Sequence, residues 1–141
     1  MKPTVLYRIA SVLLIFLAAG HTIAILKFKP PSPESETVWN TMNSVHFQVG
    51  RGKYSYGGFY RGLGLFVTIY LLFAAYLAWY LGGMARQNPQ AIGSLGWAFF
   101  ALQFASIALS AIYFFLPPIV LSTLVTLCVG LAAWGIQGAK P

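Results

Sequence analysis

Charged residues are scarce in this chain of 141 residues. Basic and acidic side chains together make up 8% of the sequence, whereas about a quarter is usual in a soluble domain. Hydrophobic residues make up 58%. Nine basic and two acidic residues cannot cover a water-facing surface of this size. The composition therefore predicts that the surface is largely lipid-facing and that residues 1–141 form a single membrane domain.

Acidic residues are the scarcest type. The sequence contains no Asp, and Glu34 and Glu36 lie two positions apart. Paired catalytic carboxylates and carboxylate metal cages need acidic side chains from several parts of a fold, and intramembrane proton relays need them within the membrane spans. These functions are therefore disfavoured, and a proton-coupled exporter is the least favoured function.

Positive charge predominates, with a net charge of +7. In an aromatic-rich chain with few charges, it favours the bilayer and anionic lipid headgroups as partners and disfavours nucleic acid. The single cysteine, Cys128, lies in an apolar run and is assigned to packing. Because there is no second cysteine, the sequence offers neither an internal disulfide nor a paired-cysteine metal site. No metal site or cofactor is predicted, and haem bound by histidine is the alternative.

Four apolar segments are long enough to cross a bilayer, which takes about 20 helical residues. They cover about residues 5–26, 59–81, 91–116 and 119–136. The sequence therefore predicts an all-α membrane protein, a bundle of four transmembrane helices with one amphipathic interfacial helix between the first two spans. Small residues at helical spacing predict a packing face on each of the last two spans. In the third span they are Ser94, Ala98, Ala101, Ala105 and Ala108, and in the fourth Ser122, Thr126, Gly130 and Ala133.

The polar stretch after the first span predicts an amphipathic helix over about residues 33–49. Ser32 fits the N-cap and Pro33 the first helical position, where the missing N–H costs nothing. Gly50 fits the left-handed position that follows a helix. The predicted apolar stripe consists of Val38, Met42, Val45 and Val49. A helix of this kind lies in the membrane interface or folds over the bundle, and a tight loop over residues 50–58 is expected to follow it.

His21, near the end of the first span, is the strongest single candidate for chemistry. It continues the face of Tyr7, Ser11, Leu14 and Ala18, which predicts that its ring points into the bundle. A histidine at this depth serves as an acid/base catalyst or as a haem or copper ligand. The alternative is a neutral ring that bonds to Thr22, to a backbone carbonyl or to a tyrosine.

The other candidate ligand-binding residues lie mostly around the start of the second span. They are His46, Arg51, Tyr56, Tyr60 and Arg61, together with Gln103 near the middle of the third span. Arginine with tyrosine hydroxyls recognises phosphate, carboxylate or polar lipid heads. The alternative for this cluster is an ordinary interfacial belt of aromatic and basic residues. For Gln103 the alternative is a hydrogen bond between helices.

Several short motifs give the chain a likeness to a known group. They are Gly20-His21-Thr22, a Pro-rich turn, Met42, Phe47 and the run Tyr56-x-x-Phe59-Tyr60-x-Gly62-Leu63-Gly64-Leu65. This combination, in the first half of the chain, resembles a family of small bacterial four-span membrane proteins of unassigned function. The resemblance implies a four-helix membrane fold and implies no activity.

Two functions remain open from the sequence. The first is a protein that binds a lipophilic ligand, or an accessory subunit of a membrane complex, with a protein partner or a homo-oligomer as its assembly. The second is a small membrane enzyme that acts on a lipid, sterol, isoprenoid or quinone, with His21 as acid/base. The predicted location is a bacterial inner membrane with both termini on one side. Basic residues number four on that side and five on the other, so the count of positive charges does not decide the orientation. The basic residues at the start of the first span favour a cytoplasmic location for the termini.

Overall fold

A computed structural model describes residues 1–138 of the chain. Over these residues it contains five α-helices and one β-hairpin. The elements are α1 (Pro3–Leu26), α2 (Pro33–Ser44), β1 (His46–Val49), β2 (Gly52–Ser55), α3 (Tyr56–Gln87), α4 (Leu95–Tyr113) and α5 (Leu116–Gln137), with a short 3₁₀ helix at Pro89–Ile92. Lys140, one of the four basic residues counted on the terminal side, lies outside the described residues.

The predicted all-α membrane fold is confirmed. Helices α1, α3, α4 and α5 are each long and apolar enough to cross a membrane. Large apolar side chains project from them, and Phe66 and Trp134 are 74% and 71% exposed. Such exposure would be costly in water and suits lipid as the surrounding solvent.

Helix α5 begins earlier than predicted, at a pair of prolines. Pro117 and Pro118 fall between the two predicted spans 91–116 and 119–136, but in the structure they lie in the first turn of α5. Proline is tolerated there because the first backbone N–H groups of a helix have no partner inside it. The corner between α4 and α5 therefore falls one turn earlier, at Phe114 and Phe115.

The prediction of one helix over residues 33–49 was wrong in its second half. Helix α2 begins as predicted, with Ser32 and Ser35 bonding reciprocally in a capping box, but it ends at Ser44. The next residues form β1, which pairs with β2 through a two-residue turn at Gly50 and Arg51. Gly50 does have a positive φ, 58°, but it serves this turn. Glycine at the first turn position fits a type II′ hairpin turn.

The described chain divides into two compact units. Unit 1 comprises Met1–Leu17 and the chain from Leu71 onward, and unit 2 comprises Ala18–Tyr70. Helices α1 and α3 are each divided between the two units, α1 after Leu17 and α3 after Tyr70.

In unit 1 the segment of α1 contacts each of the other helices. The Ser11 hydroxyl donates to the carbonyl oxygen of Ala75 in α3 over 2.8 Å. Tyr7 lies so close to Gly96 of α4 that a Cβ there would be 2.9 Å from its hydroxyl oxygen. The face predicted for α1 is confirmed, since Tyr7, Ser11 and Leu14 are buried here, and Ala18, the first residue of unit 2, is buried as well.

Helices α4 and α5 pack together in unit 1 with bulky side chains against small ones. A Cβ on Gly130 of α5 would lie 2.8 Å from the ring of Phe100, so Gly130 makes room for that ring. Small residues therefore face inward on α5, as predicted. The small stripe predicted to pack on α4 is instead exposed, because Phe99 and Gln103 occupy the buried face of that helix. The exposed residues are Ser94, Ala98, Ala101, Ala105 and Ala108.

In unit 2 helix α2 lies against the start of α3. Trp39 is the main contact, with ring centres 5.0 Å from Phe28 and 6.3 Å from Tyr60. A Cβ on the buried Gly57 would lie 2.5 Å from the Asn43 side chain, so this glycine permits the close approach. The predicted apolar stripe is largely exposed, with Val38, Val45 and Val49 on the surface, as a helix that lies in the membrane interface would have it.

Candidate functional site

The hairpin of unit 2 carries an aromatic cluster centred on Phe47. Phe47 and Tyr54 are directly opposite each other in the β1–β2 pairing. The Phe47 ring centre lies 6.1 Å from that of Tyr54, 4.9 Å from that of Tyr56 and 5.9 Å from that of Phe59. Cross-strand and edge-to-face aromatic pairs of this kind stabilise a short hairpin that would be marginal alone. The cluster therefore joins the hairpin to the first turn of α3.

A groove of about 690 Å³ lies between the hairpin and the start of α3. It opens to the surface. Its lining consists of His46, Lys53, Tyr54, Ser55, Gly58, Phe59, Gly62, Leu63 and Phe66, all within unit 2.

The hairpin forms the polar wall of this groove. His46 pairs with Ser55 across the strands, and Lys53 lies two residues before Ser55, so all three share one face of the hairpin. The Nδ1–H of His46 donates to the carbonyl oxygen of Ser44 over 2.7 Å. This bond fixes the tautomer of the neutral ring, so Nε2 is the nitrogen left to accept a proton or a hydrogen bond.

Helix α3 forms the apolar wall. Gly58 and Gly62 are four residues apart and therefore lie one above the other on the same face. Phe59, Leu63 and Phe66 repeat at helical spacing beside them. A Cβ on Gly62 would meet none of the described atoms within 4 Å, so this glycine leaves open space along the groove.

Arg61 and Tyr60 lie on the α2 side of the same turn. The Arg61 guanidinium is 5.8 Å from the centre of the Trp39 ring, a cation–π distance. The Tyr60 ring meets Trp39 edge to face. Both side chains are exposed. These two predicted ligand-binding residues therefore meet at Trp39, outside the set that lines the groove.

His21 takes part in a polar contact between α1 and α3. Its Nε2–H donates to the carbonyl oxygen of Gly64 over 2.9 Å. Beside it, Thr22 donates to the carbonyl oxygen of Ala18 over 2.7 Å, so its single hydroxyl proton is used. The hydroxyl oxygen of Thr68 lies 3.0 Å from that of Thr22 and 3.5 Å from the carbonyl oxygen of Gly64, and its proton can be donated to either. This geometry matches the backbone-carbonyl alternative for His21, and Nδ1 is the nitrogen left for chemistry.

The two acids lie in the first turn of α2. Hydrogen bonds from the Glu34 backbone N–H and then from the Ser32 side chain lower the pKa of Glu34. A carboxylate at this end of a helix is also stabilised by the helix dipole. This environment keeps Glu34 ionised, as helix capping requires, and does not suit a general acid.

The remaining predicted residues are spread over the described chain. Tyr56 packs against Phe47 at the start of α3 with the two rings tilted by 46°, and Arg51 lies exposed in the hairpin turn. Gln103 belongs to unit 1, where it is 3% exposed and its Nε2 finds no hydrogen-bond partner among residues 1–138. Within the same residues, no three His, Cys, Asp or Glu side chains come together in a group that could hold a metal ion.

The structure thus brings one predicted site residue, His46, into the groove. Most of the lining was missed by reading the sequence, including Gly58, Gly62, Leu63 and Phe66. Their signal was present as two glycines four residues apart at the start of an apolar span, a spacing that leaves a groove along a helix.

Comparison of the chain with protein-family models, with curated proteins and with solved structures gives no match. The likeness to small bacterial four-span proteins therefore rests on the sequence motifs alone, and the function has to be argued from the geometry of the chain.

Proposed function

We propose that this chain is an integral membrane protein that binds an amphiphilic, lipid-like molecule in the groove of unit 2. The observation that carries the proposal is the division of one groove into two walls. His46, Lys53 and Ser55 form the polar wall, and Phe59, Leu63 and Phe66 form the apolar one. A molecule with a polar head and an apolar tail matches both walls at once.

The size and charge of the groove support this class of ligand. Its volume of about 690 Å³ falls within the range of about 300–1,000 Å³ that is usual for small-molecule sites. Lys53 carries a positive charge, and His46 can add a second when protonated. The acids of the chain lie in α2. An anionic head, such as a carboxylate or a phosphate, is therefore favoured over a cationic one.

The proposal is tested by photolabelling the full chain in nanodiscs with a fatty acid that carries a diazirine in its tail. We expect label on the α3 side of the groove, at Phe59, Leu63 and Phe66. Gly62→Leu fills the open space of the groove and should reduce labelling there at least about fivefold. Gly20→Leu is the matched control, because a Cβ on Gly20 also meets no described atom within 4 Å and Gly20 is not among the lining residues.

Head-group selectivity is tested with the matching diazirine fatty alcohol. The wild-type chain should label better with the acid than with the alcohol, and Lys53→Gln should remove this preference. Equal labelling of the groove in the wild type and Gly62→Leu would overturn the proposal, as would label spread evenly over the apolar helices.

A role as an accessory subunit of a membrane complex, or assembly as a homo-oligomer, stays a prediction. Extraction in mild detergent tests it together with ligand binding. A chain that purifies as a monomer with neither bound lipid nor partner would contradict both roles.

The alternative of a membrane enzyme acting on a lipid, sterol, isoprenoid or quinone also stays a prediction. Its acid/base would be His21, whose Nε2 already donates to a backbone carbonyl. A general base must reach the proton that it abstracts, and only Nδ1 is left for this. The groove has His46 in its lining instead, so the geometry gives more support to binding than to catalysis at His21.

The predicted location is a bacterial inner membrane with both termini in the cytoplasm. Four apolar helices support the prediction, since four crossings would leave both termini on one side. Alkaline phosphatase fused to either terminus would be inactive if the prediction is right, and activity of both fusions would contradict it.

A further inference from the structure

Arg8 is a cation in a unit whose sequence has no acidic side chain. Neither Met1–Leu17 nor the chain from Leu71 onward contains Asp or Glu. A guanidinium remains charged at every physiological pH. The side chains of unit 1 therefore cannot supply the counter-charge that Arg8 needs.

Trp79 holds the Arg8 guanidinium in a defined position. The guanidinium carbon lies 3.3 Å from the centre of the Trp79 ring. Trp79 itself is 53% exposed, and Arg8 is partly exposed. Gly82, one turn further along α3, leaves the space beside the guanidinium, because a Cβ there would lie 3.2 Å from Nε. Arg8 is thus stacked near the surface of unit 1.

The hydrogen-bonding capacity of Arg8 is not used up by the protein. Its Nη1 is buried and finds no hydrogen-bond partner within residues 1–138. An unpaired donor on a charged group is costly in a low-dielectric setting. The charge is delocalised over the guanidinium, so an anion bound beside its accessible part would offset the charge, although it would not pair the buried Nη1.

Arg86 supplies a second cation on the same side of α3. It lies seven residues after Trp79 and four after Gly82, spacings that put all three on one helix face. Arg86 is exposed and stands in the last turn of α3. Trp79 and Arg86 therefore lie on one face of the last turns of α3, with Arg8 stacked on the indole ring.

We propose that Arg8, Trp79 and Arg86 form a binding site for the phosphate of an anionic phospholipid. A phosphate diester accepts planar, paired hydrogen bonds from arginine. Tryptophan favours the headgroup level of a bilayer, which is where lipid phosphates lie. An ordinary belt of basic residues differs from such a site in one measurable way. Its charges are interchangeable, whereas lysine cannot replace a stacked guanidinium.

The test uses the full chain in nanodiscs of phosphatidylcholine with a small fraction of phosphatidylglycerol. Native mass spectrometry then counts the phosphatidylglycerol that the chain retains in mild detergent. Arg8→Gln should reduce retention about fivefold or more. Arg8→Lys should reduce it to an intermediate level, and Trp79→Phe should reduce it as well. Lys2→Gln is the matched control, since Lys2 is an exposed cation of the same terminal segment, and it should retain the lipid.

Three outcomes would overturn the proposal. Equal losses in Arg8→Gln and Lys2→Gln would show an interchangeable belt. Full retention in Arg8→Gln or Arg8→Lys would show that the guanidinium does not bind the lipid. Displacement of the lipid by millimolar inorganic phosphate would assign the site to free phosphate. If Arg8→Gln does not fold, Arg8→Lys and Trp79→Phe decide. Because the groove is also proposed to take an anionic lipid, each of these variants is measured again in the Gly62→Leu background, so failure here is separable from failure of the groove.

Discussion

The His21 ring joins two helix segments of unit 2, because its Nε2–H donates to the backbone carbonyl oxygen of Gly64, 2.9 Å away. A helical carbonyl oxygen has two lone pairs, and the i+4 backbone N–H of the helix uses only one of them. Gly64 lets α1 come close enough to use the other. The residue with the strongest chemical signal in the sequence thus has a structural role in this fold.

We expect His21→Ala to lower the free energy of unfolding by about 0.5–1.5 kcal/mol, the net contribution of one hydrogen bond. The measurement is a denaturation series in mixed micelles, followed by circular dichroism. His46→Ala is the control, since the hydrogen bond of His46 stays within its own loop at Ser44. A loss in His21→Ala no greater than in His46→Ala would show that the bond between the helices contributes nothing to stability.

Gly64 should tolerate a side chain better when Ile25 is made smaller. A Cβ on Gly64 would lie 2.5 Å from the end of the Ile25 side chain. Gly64→Val should therefore lower stability by about 1–3 kcal/mol, as overpacking does. Adding Ile25→Ala should restore part of this loss, which the same denaturation series measures as a coupling in a double-mutant cycle. Strictly additive effects of the two changes would argue against a close approach of these residues.

Trp39 should be the residue that holds α2 to the rest of unit 2. Its ring contacts Phe28 and Tyr60 and lies under Arg61. We expect Trp39→Ala to increase amide hydrogen exchange across Pro33–Ser44, because a short helix without packing is only marginally stable. Val38→Ala, one residue earlier and 59% exposed, should leave exchange unchanged. Equal protection of α2 in both variants would contradict this role.

The start of α2 should weaken in acid through Glu34. Hydrogen bonds in the folded chain lower the pKa of Glu34 from its ordinary value of 4.5, so folding favours the ionised form. This contribution is fully present above pH 4.5 and is lost as the pH falls through the lower folded pKa. Amide NMR shifts of Ser32–Glu36 should follow this titration in the wild type. They should no longer follow it in Glu34→Gln, and a persisting titration in that variant would assign the effect to another group.

Much of the fold follows from local properties that the sequence displays directly. The four spans follow from hydropathy and length, because a helix satisfies its own backbone groups in lipid. The capping box at Ser32 and the buried face of Tyr7, Ser11 and Leu14 follow from residue type and helical spacing. These features depend on neighbours within a few residues, so no knowledge of distant contacts is needed.

The groove of unit 2 could not be predicted in the same way, because it is formed by contacts between residues that are distant in the sequence. Residues 45–49 fit either the last turns of a helix or a strand, and the pairing of Phe47 with Tyr54 decided for the strand. Likewise, Phe99 and Gln103 lie on the buried face of α4 in place of the predicted stripe of small residues, because contacts with other helices decide which face is buried.

The sequence by itself determined that this chain is a charge-poor helical membrane protein with His46, Lys53 and several tyrosines before its second span. Only the tertiary structure decided that His46 and Lys53 share a groove with Phe59 and Leu63, while His21 bonds to a backbone carbonyl. The reason is physical. Hydropathy and capping are set by nearby residues, whereas a groove exists only where separate segments pack without filling the space between them.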